Sequence, residues 1–385
     1  MIGINHQNMN GQNKYIILKA IVTQGPLSRM NLSQMTGLSK MAISSLTNDF
    51  IEKGILRECG VTQSTGGRKP TLLEVVPDSL LTLGISIGRD VLQVAVINLK
   101  GQVLKSENLP FSLMKNNEGL LNSLFFLCDR MYSEPLKDRI WGIGISCAGP
   151  LSVQSGMILN PPNFNSIHDL PIVKELSERY GLPAYLQNDM YAAALAEVYF
   201  GNKQKYNNFI YIGISSGISG GVIINRRLYT GSTGLAGVIG HSIVERNGIP
   251  CECGQRGCLE KYSSTRAVLA WAKENGADPD LSWMELVSRA AQNDEICLRA
   301  INRMAEYLEI AVINMESAYD TECFVIGGDL YYCQDMVVKH IEEALQNQSL
   351  LWRQRHKVMV EGSSFTGDAS MIGTAALVME NNMET

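Results

Sequence analysis

Leu83-Gly84-Ile85-Ser86-Ile87-Gly88 is followed shortly by Gln93-Val94-Ala95-Val96-Ile97. Both are short apolar runs rich in β-branched residues and bounded by turn formers, the pattern of buried strands. With Asn98-Leu99-Lys100-Gly101 as the turn that leaves the second, they read as a pair opening an α/β lobe. A helical stretch lies around Leu120 to Tyr132, then a buried strand, Ile140 to Ser146, closed by Ala148-Gly149-Pro150. Ala184 to Leu186 reads as another strand, followed by a helix from Met190 to Tyr199. A second set begins at Phe209 to Ile214 and Gly221 to Ile224. It ends in Cys323 to Ile326, the glycine turn Gly327-Gly328 and a helix after Ala369. Two such lobes imply a cleft between them, with ligands at the strand ends.

Upstream of Leu81 the texture differs. Tyr15 to Gln24 has a helical pattern with Ile17, Leu18 and Ile21 at turn spacing, ended by Gly25-Pro26. Ser28 is placed to cap a short helix carrying Leu32 and Met35, which Gly37 stops. After the turn Gly37-Leu38-Ser39, a third helix capped by Ser39 runs to Lys53. It buries Ile43, Leu46 and Phe50, and leaves Lys40, Ser44, Thr47 and Asn48 facing elsewhere. Two short helices at a tight glycine turn fit a helix-turn-helix, though a plain three-helix bundle has the same spacing. Leu56 to Glu58 and Thr71 to Val75 then flank a glycine-rich loop tipped by Arg68-Lys69-Pro70. This reads as a wing whose Arg68 can enter a narrow minor groove, or alternatively as a linker.

The charge agrees with that division. Residues 1–75 carry a net +4 and the remainder −9, within a total of −5. A basic head on an acidic body suits a head that meets a polyanion. At 385 residues with 45% hydrophobic and 18% charged, the chain is sized for two or three packed units and is neither disordered nor fibrous. The polar start, Met1 to Asn13, does not look like a signal peptide, and Phe209 to Asn225 reads as a glycine-rich hairpin and not a membrane span. A cytoplasmic protein is expected.

The densest chemical signal is Gly240-His241 and then, after nine intervening residues, Cys251-Glu252-Cys253-Gly254-Gln255-Arg256-Gly257-Cys258-Leu259-Glu260. Three cysteines within eight residues, with glycines letting the backbone fold around an ion, suit a metal knuckle. His241 would supply the fourth ligand to Cys251, Cys253 and Cys258. One nitrogen and three thiolates make a closed set, so one structural Zn2+ per chain is expected. Cys59, Cys128, Cys147, Cys297, Cys323 and Cys333 are scattered and read as core residues.

On these residues the chain resembles the ROK family (repressor, open reading frame, kinase), and its head and Thr65-to-Pro70 segment are similar to bacterial xylose repressors. The resemblance implies an α/β chain: a winged helix-turn-helix over residues 1–75, then a two-lobed, actin-like (ribonuclease H-like) sugar kinase fold over 76–385. Lobe one would cover about 80–190 plus the C-terminal helix, and lobe two about 191–368. It also implies sugar contacts at Asn163, Asn188, Asp189, His241 and Glu260, with Asp189 matching the catalytic base of the kinases. Gly88, Ser216, Gly217, Gly327 and Gly328 match the phosphate loops.

Departures from the kinase pattern point away from catalysis. Where the kinases have an acidic first strand and a Gly-Gly-Thr turn, this chain has Ser86-Ile87-Gly88-Arg89-Asp90. A bulky Arg89 replaces a glycine where backbone must approach phosphate, and Asp90 adds a like charge beside it. Val238 replaces the glutamate usual two residues before the Gly-His pair. The reading is therefore a DNA-binding repressor of carbohydrate genes with a small sugar effector and no enzymatic activity. It is expected to be a homodimer or dimer of dimers on an inverted-repeat operator in double-stranded DNA, nucleoid-associated when bound and without membrane contact. Ser39, Lys40, Ser44, Thr47, Asn48, Arg68 and Lys69 would meet the DNA. The alternatives are an active or bifunctional sugar kinase, and a repressor governed by a protein partner.

Overall fold

The computed structural model describes residues 6–61, 70–162, 164–347, 358–367 and 369–382. In the head, helix α1 (His6–Gln24) buries Ile17, Leu18 and Ile21. It starts well before Tyr15, because the Asn and Gln of that polar run cost only about 0.7 kcal/mol or less each in a helix. A two-residue strand, β1 (Leu27–Ser28), leads into α2 (Arg29–Thr36). Ser28 caps α2: its Oγ accepts the Asn31 N–H at 3.1 Å, while its own N–H donates to Asn31 Oδ1 at 3.2 Å. Gly37, in the left-handed region at φ 71°, ends the helix. Helix α3 (Lys40–Glu52) follows, with Ile43, Leu46 and Phe50 buried. Strands β2 (Leu56–Val61) and β3 (Thr71–Val75) pair antiparallel, and β3 also takes β1, giving the order β1-β3-β2. This is a winged helix-turn-helix. Arg68, Lys69 and the glycine-rich tip lie outside the described residues.

The body opens with β4 (Leu81–Ile87), β5 (Val91–Asn98) and β6 (Val103–Pro110), then α4 (Asn117–Met131) and β7 (Ile140–Cys147). A small hairpin, β8 (Leu151–Ser152) and β9 (Met157–Ile158), precedes α5 (Ile172–Tyr180), β10 (Ala184–Asn188) and α6 (Asp189–Tyr199). The sheet order is β10-β7-β4-β5-β6, with β4, β7 and β10 mutually parallel and the other pairings antiparallel. Leu83, Ile85, Ile143 and Ile145 from its centre pack with Leu120, Leu124 and Leu127 of α4.

A second sheet repeats this plan. Its strands are β11 (Phe209–Ile214), β12 (Ile218–Ile224), β13 (Arg227–Tyr229), β14 (Cys323–Gly328) and β15 (Met359–Gly362), in the order β13-β12-β11-β14-β15. Three antiparallel strands again border two parallel ones. Between β13 and β14 run α7 (Glu260–Ser263), α8 (Thr265–Glu274), α9 (Trp283–Ala291) and the 25-residue α10 (Glu295–Tyr319), with α11 (Gln334–Asn347) after β14. Met304, Leu308 and Val312 of α10 are buried with Ile212, Phe324 and Ile326 of the sheet.

Helix α12 (Ala369–Asn382) returns to the first sheet. The chain thus forms two compact units, residues 1–204 with 370–385, and 205–369. One expected boundary shifts. The head packs as part of the first unit, and α6 belongs there too, so the second unit starts at 205 and not 191. The reason is packing: Gly373 of α12 leaves no room for a Cβ against the Ala192 carbonyl oxygen of α6. Of the scattered cysteines, Cys59 is only half-buried on β2, while the other five are core residues as expected. No helix among the described residues is long and apolar enough to cross a membrane.

Candidate functional site

His241 sits on a single helical turn after Val238, and the cysteine loop folds back toward it through Val244 and Gly257, whose N–H and carbonyl bond at 2.9 Å. The ligand atoms of His241, Cys251, Cys253 and Cys258 all lie within 4.8 Å of one another. Cys253 and Cys258 Sγ are 3.6 Å apart, as are Cys251 Sγ and His241 Nδ1. A tetrahedron with metal–sulfur bonds of about 2.3 Å has edges of about 3.8 Å, so the set could hold a metal ion. Burial pushes the Cys258 thiol up to about 12, whereas the Gln255 backbone N–H draws Cys253 below the ordinary thiol value. A dication reverses such reluctance, since a coordinated thiol is deprotonated outright.

Glu260 follows the last cysteine by two residues, at the start of α7. Its Oε2 accepts the Ile218 N–H at 3.0 Å and Arg266 stands 3.9 Å from Oε1. The turn it braces contains Ser216 and Gly217, both partly exposed, and is closed by Ser215 N–H on the Gly217 carbonyl at 2.8 Å. Gly327 and Gly328 lie at the end of β14 in the same unit. The Tyr211 hydroxyl takes the space of a Cβ on Gly327, and the Ile214 carbonyl oxygen that of one on Gly328. Close packing accounts for both glycines. Val238 is 45% exposed.

In the first unit, Ile87, Cys147 and Asn188 are level with one another at the ends of the three parallel strands. Asn188 and Asp189 therefore stand at a strand end, as expected. Asn188 also caps α6, its Oδ1 accepting the Met190 N–H at 3.0 Å. Burial pushes the Asp189 carboxyl above the usual carboxylate range, partly offset by the Met190 N–H and the positive charge of Arg89, although some of the side chain still reaches solvent. Gly88-Arg89-Asp90 forms the β4–β5 turn, closed by Gly88 N–H on the Val91 carbonyl at 3.0 Å. Ser86 lies opposite Ser146 in the sheet. Asn163 is outside the described residues.

The exposed face of α3 is made by Lys40, Met41, Ser45 and Asn48, with Ser44 half-buried beside them. Met41, at 84% exposure, and Ser45 were missed in the sequence. Ser39 spends its hydroxyl on the Ala42 N–H at 3.2 Å. Thr47 is a correction: it is fully buried, donates to the Ile43 carbonyl at 2.8 Å and accepts from Arg29 Nε at 3.2 Å. It cannot present itself to a base. Arg29 also donates to Asn48 Oδ1 at 3.1 Å and pairs with Glu58 at 3.0 Å, joining α2, α3 and β2.

Residues 82–381 match the ROK family. The chain belongs to that family. The match begins at β4, so the head is an addition in front of it. The xylose repressors of Caldicellulosiruptor bescii and Bacillus subtilis are 29% and 28% identical, over 98% and 97% of this chain and 98% and 96% of theirs. The Escherichia coli dual regulator NagC is 26% identical over 95% of this chain and 92% of its own. Among solved structures, a ROK family transcriptional regulator homologous to the E. coli MLC protein superposes with a TM-score of 0.82, at 25% identity, over 98% of this chain and 97% of that one. A ROK family glucokinase from Streptomyces griseus, in complex with glucose and AMPPNP, gives 0.68 at 25% identity, covering 98% of the kinase but 77% of this chain. The regulators extend over the head; the kinase leaves a share of that size unmatched.

Proposed function

We propose that the chain is a sugar-responsive transcriptional repressor of carbohydrate genes, confined to the cytoplasm and to the nucleoid when bound. The observation that carries this reading is the winged helix-turn-helix preceding the family match, over a length shared with repressors. Two heads of a homodimer or dimer of dimers would read an inverted repeat. Helix α3 would enter the major groove through Lys40, Met41, Ser44, Ser45 and Asn48, with Arg68 and Lys69 of the wing on the adjacent minor groove and backbone.

Asn163, Asn188, Asp189, Glu260 and the Nε2 edge of His241 are the groups we assign to sugar hydroxyls. Amides and carboxylates suit a polyol because each can serve two hydroxyls. The His241–Cys251–Cys253–Cys258 group would hold Zn2+, whose chemistry here is structural: four protein ligands close the shell and leave no open position. Sugar moves the DNA equilibrium only as far as it binds one arrangement of the chain more tightly than the other.

Phosphotransfer is absent in this reading. Arg89 places its positive charge toward the matched base Asp189, and Ser86 removes the first-strand carboxylate. The exposed Val238 favours one second reading, a body governed by a protein partner. Melting the purified chain against a panel of monosaccharides and their phosphates tests the proposal. A sugar that raises the midpoint and releases a duplex selected by the chain from a random pool supports it, and silence across the panel sinks it.

A further inference from the structure

The head is joined to the body by four polar side chains at the far end of the helix that starts with Asp189. Lys19 Nζ donates to Tyr15 Oη at 2.8 Å, the Tyr15 and Tyr199 hydroxyls are 2.8 Å apart, and Tyr199 Oη donates to Glu380 Oε1 at 3.0 Å. The Tyr15 hydroxyl also reaches Glu380 Oε1, at 3.4 Å, so both tyrosine hydroxyls converge on one carboxylate oxygen and either can donate to the other. Lys19 closes the ring on Glu380 at 3.4 Å, and its ammonium lies 5.2 Å from the Tyr15 ring centre and 4.7 Å from that of Tyr199. Tyr199 is buried, and the Lys19 and Glu380 side chains keep only 18% and 23% exposure. Hydrogen bonds to charged groups in such partly dry surroundings are stronger than at an open surface, and losing one partner costs more.

The two body residues sit on helices that pack side by side. Gly373 meets Ala192, and seven residues further along each helix Glu380 meets Tyr199. The helices α12 and α6 are therefore parallel and in register over two turns. Between its ends α6 buries the small Ala192, Ala193, Ala194 and Ala196 together with the larger Leu195, Glu197 and Val198, so its neighbours hold it all round and it shifts as one body. Displacements of about 1–2 Å of packed helices are a usual form of switching. At about 1.5 Å per residue, α6 carries any displacement of Asp189 about 15 Å to Tyr199.

We propose that α6 is a lever and that Tyr15, Lys19, Tyr199 and Glu380 are its clasp on the DNA-reading head, so that a change at Asn188–Asp189 repositions α1. The proposal rests on the effector reading above for what acts on the Asp189 end, but the clasp can be tested without any effector. Hydrogen exchange of the full chain is measured over Tyr15–Gln24 for the wild type, Tyr199→Phe and Glu380→Gln. Either substitution is expected to speed exchange there by about tenfold, with β4 and β7 unchanged. Asp189→Asn should alter exchange over the same segment in the wild-type background and lose that effect when combined with Tyr199→Phe. Unchanged α1 exchange in both clasp variants, or additive behaviour of Asp189→Asn with Tyr199→Phe, overturns the lever. Failure of the effector reading shows separately, as an unmoved wild-type melting temperature with D-xylose, D-glucose and N-acetylglucosamine, and the exchange cycle still decides the clasp.

Discussion

Glu260 Oε2 accepts the backbone N–H of Ile218 at 3.0 Å, so a carboxylate assigned to sugar is already tied to the turn at the head of β12. One oxygen is structural. The other is left to a ligand and to Arg266. The two duties separate under mutation. Glu260→Ala leaves the Ile218 N–H without its acceptor and is expected to cost about 1–3 kcal/mol of stability. Glu260→Gln keeps an acceptor oxygen and should melt close to wild type, yet bind sugar about tenfold more weakly, a loss of the size of one charge-assisted hydrogen bond. Calorimetric melting and sugar titration of both variants check this.

One zinc per chain is expected on His241, Cys251, Cys253 and Cys258. Elemental analysis of protein with reduced thiols should return close to one equivalent; a value far below that contradicts the assignment. Cys258→Ser, at a buried ligand, should release the metal and also weaken sugar binding, because Glu260 begins its helix two residues later.

Asp189 gives the stability curve a defined slope. Its carboxyl is raised in the folded chain, so the folded state holds the proton more tightly than the unfolded one. The group's contribution is complete below the ordinary carboxylate range and is lost as pH rises through the elevated value. Asp189→Asn removes that loss. It should raise the melting temperature by roughly one to three degrees at pH 7.5 and leave it unchanged near pH 3.5, as scans at the two pH values would reveal.

The three kinds of head residue should behave differently. Lys40→Ala, if that side chain meets a phosphate, weakens binding to all duplexes alike and flattens the salt dependence by about one unit of slope. Met41→Ala is expected to cost most where a thymine methyl faces it. Thr47→Val should lower head stability, by leaving Arg29 Nε and the core short of a hydroxyl, without changing sequence preference. Fluorescence anisotropy at two salt concentrations, with melting of each variant, separates the three.

A coupled ATP assay over hexoses, pentoses and amino sugars is expected to stay at background. Turnover abolished by Asp189→Asn would reverse the reading of Ser86, Arg89 and Asp90.

Much of the architecture was legible because local signals and packing agree. Ser28 and Ser39 sit where caps are needed, and the alternation of apolar strands with helices announced both lobes. The knuckle was legible because ligand spacing is itself the chemistry. Two kinds of information were not. The side of a helix on which a small polar residue falls depends on the neighbouring elements; Thr47 stands four residues after Ile43 and three before Phe50, inside the buried stripe, yet its residue type suggested a surface. Position 41 lies opposite that stripe, together with 45 and 48, so periodicity could have found Met41. The unit boundary was illegible for a different reason. Contacts distant in sequence, such as Gly373 with Ala192 and Tyr199 with Tyr15 and Glu380, assign α6 to the first unit, and nothing near Tyr199 in the sequence signals a partner almost two hundred residues away.

The return of α12 to the first sheet also sets an order of events on the ribosome. The head, β4 to β10 and α6 all emerge before residues 205–369, and Glu380 emerges after them. At 5–20 residues per second, the intervening unit takes roughly ten to thirty seconds to synthesise. During that interval a nascent chain has its DNA-reading helices but lacks the carboxylate on which Tyr199 and Lys19 converge. Messages truncated before Ala369 would yield heads that no body residue Glu380 restrains, so translational fidelity at the 3′ end bears directly on a contact made by the first helix.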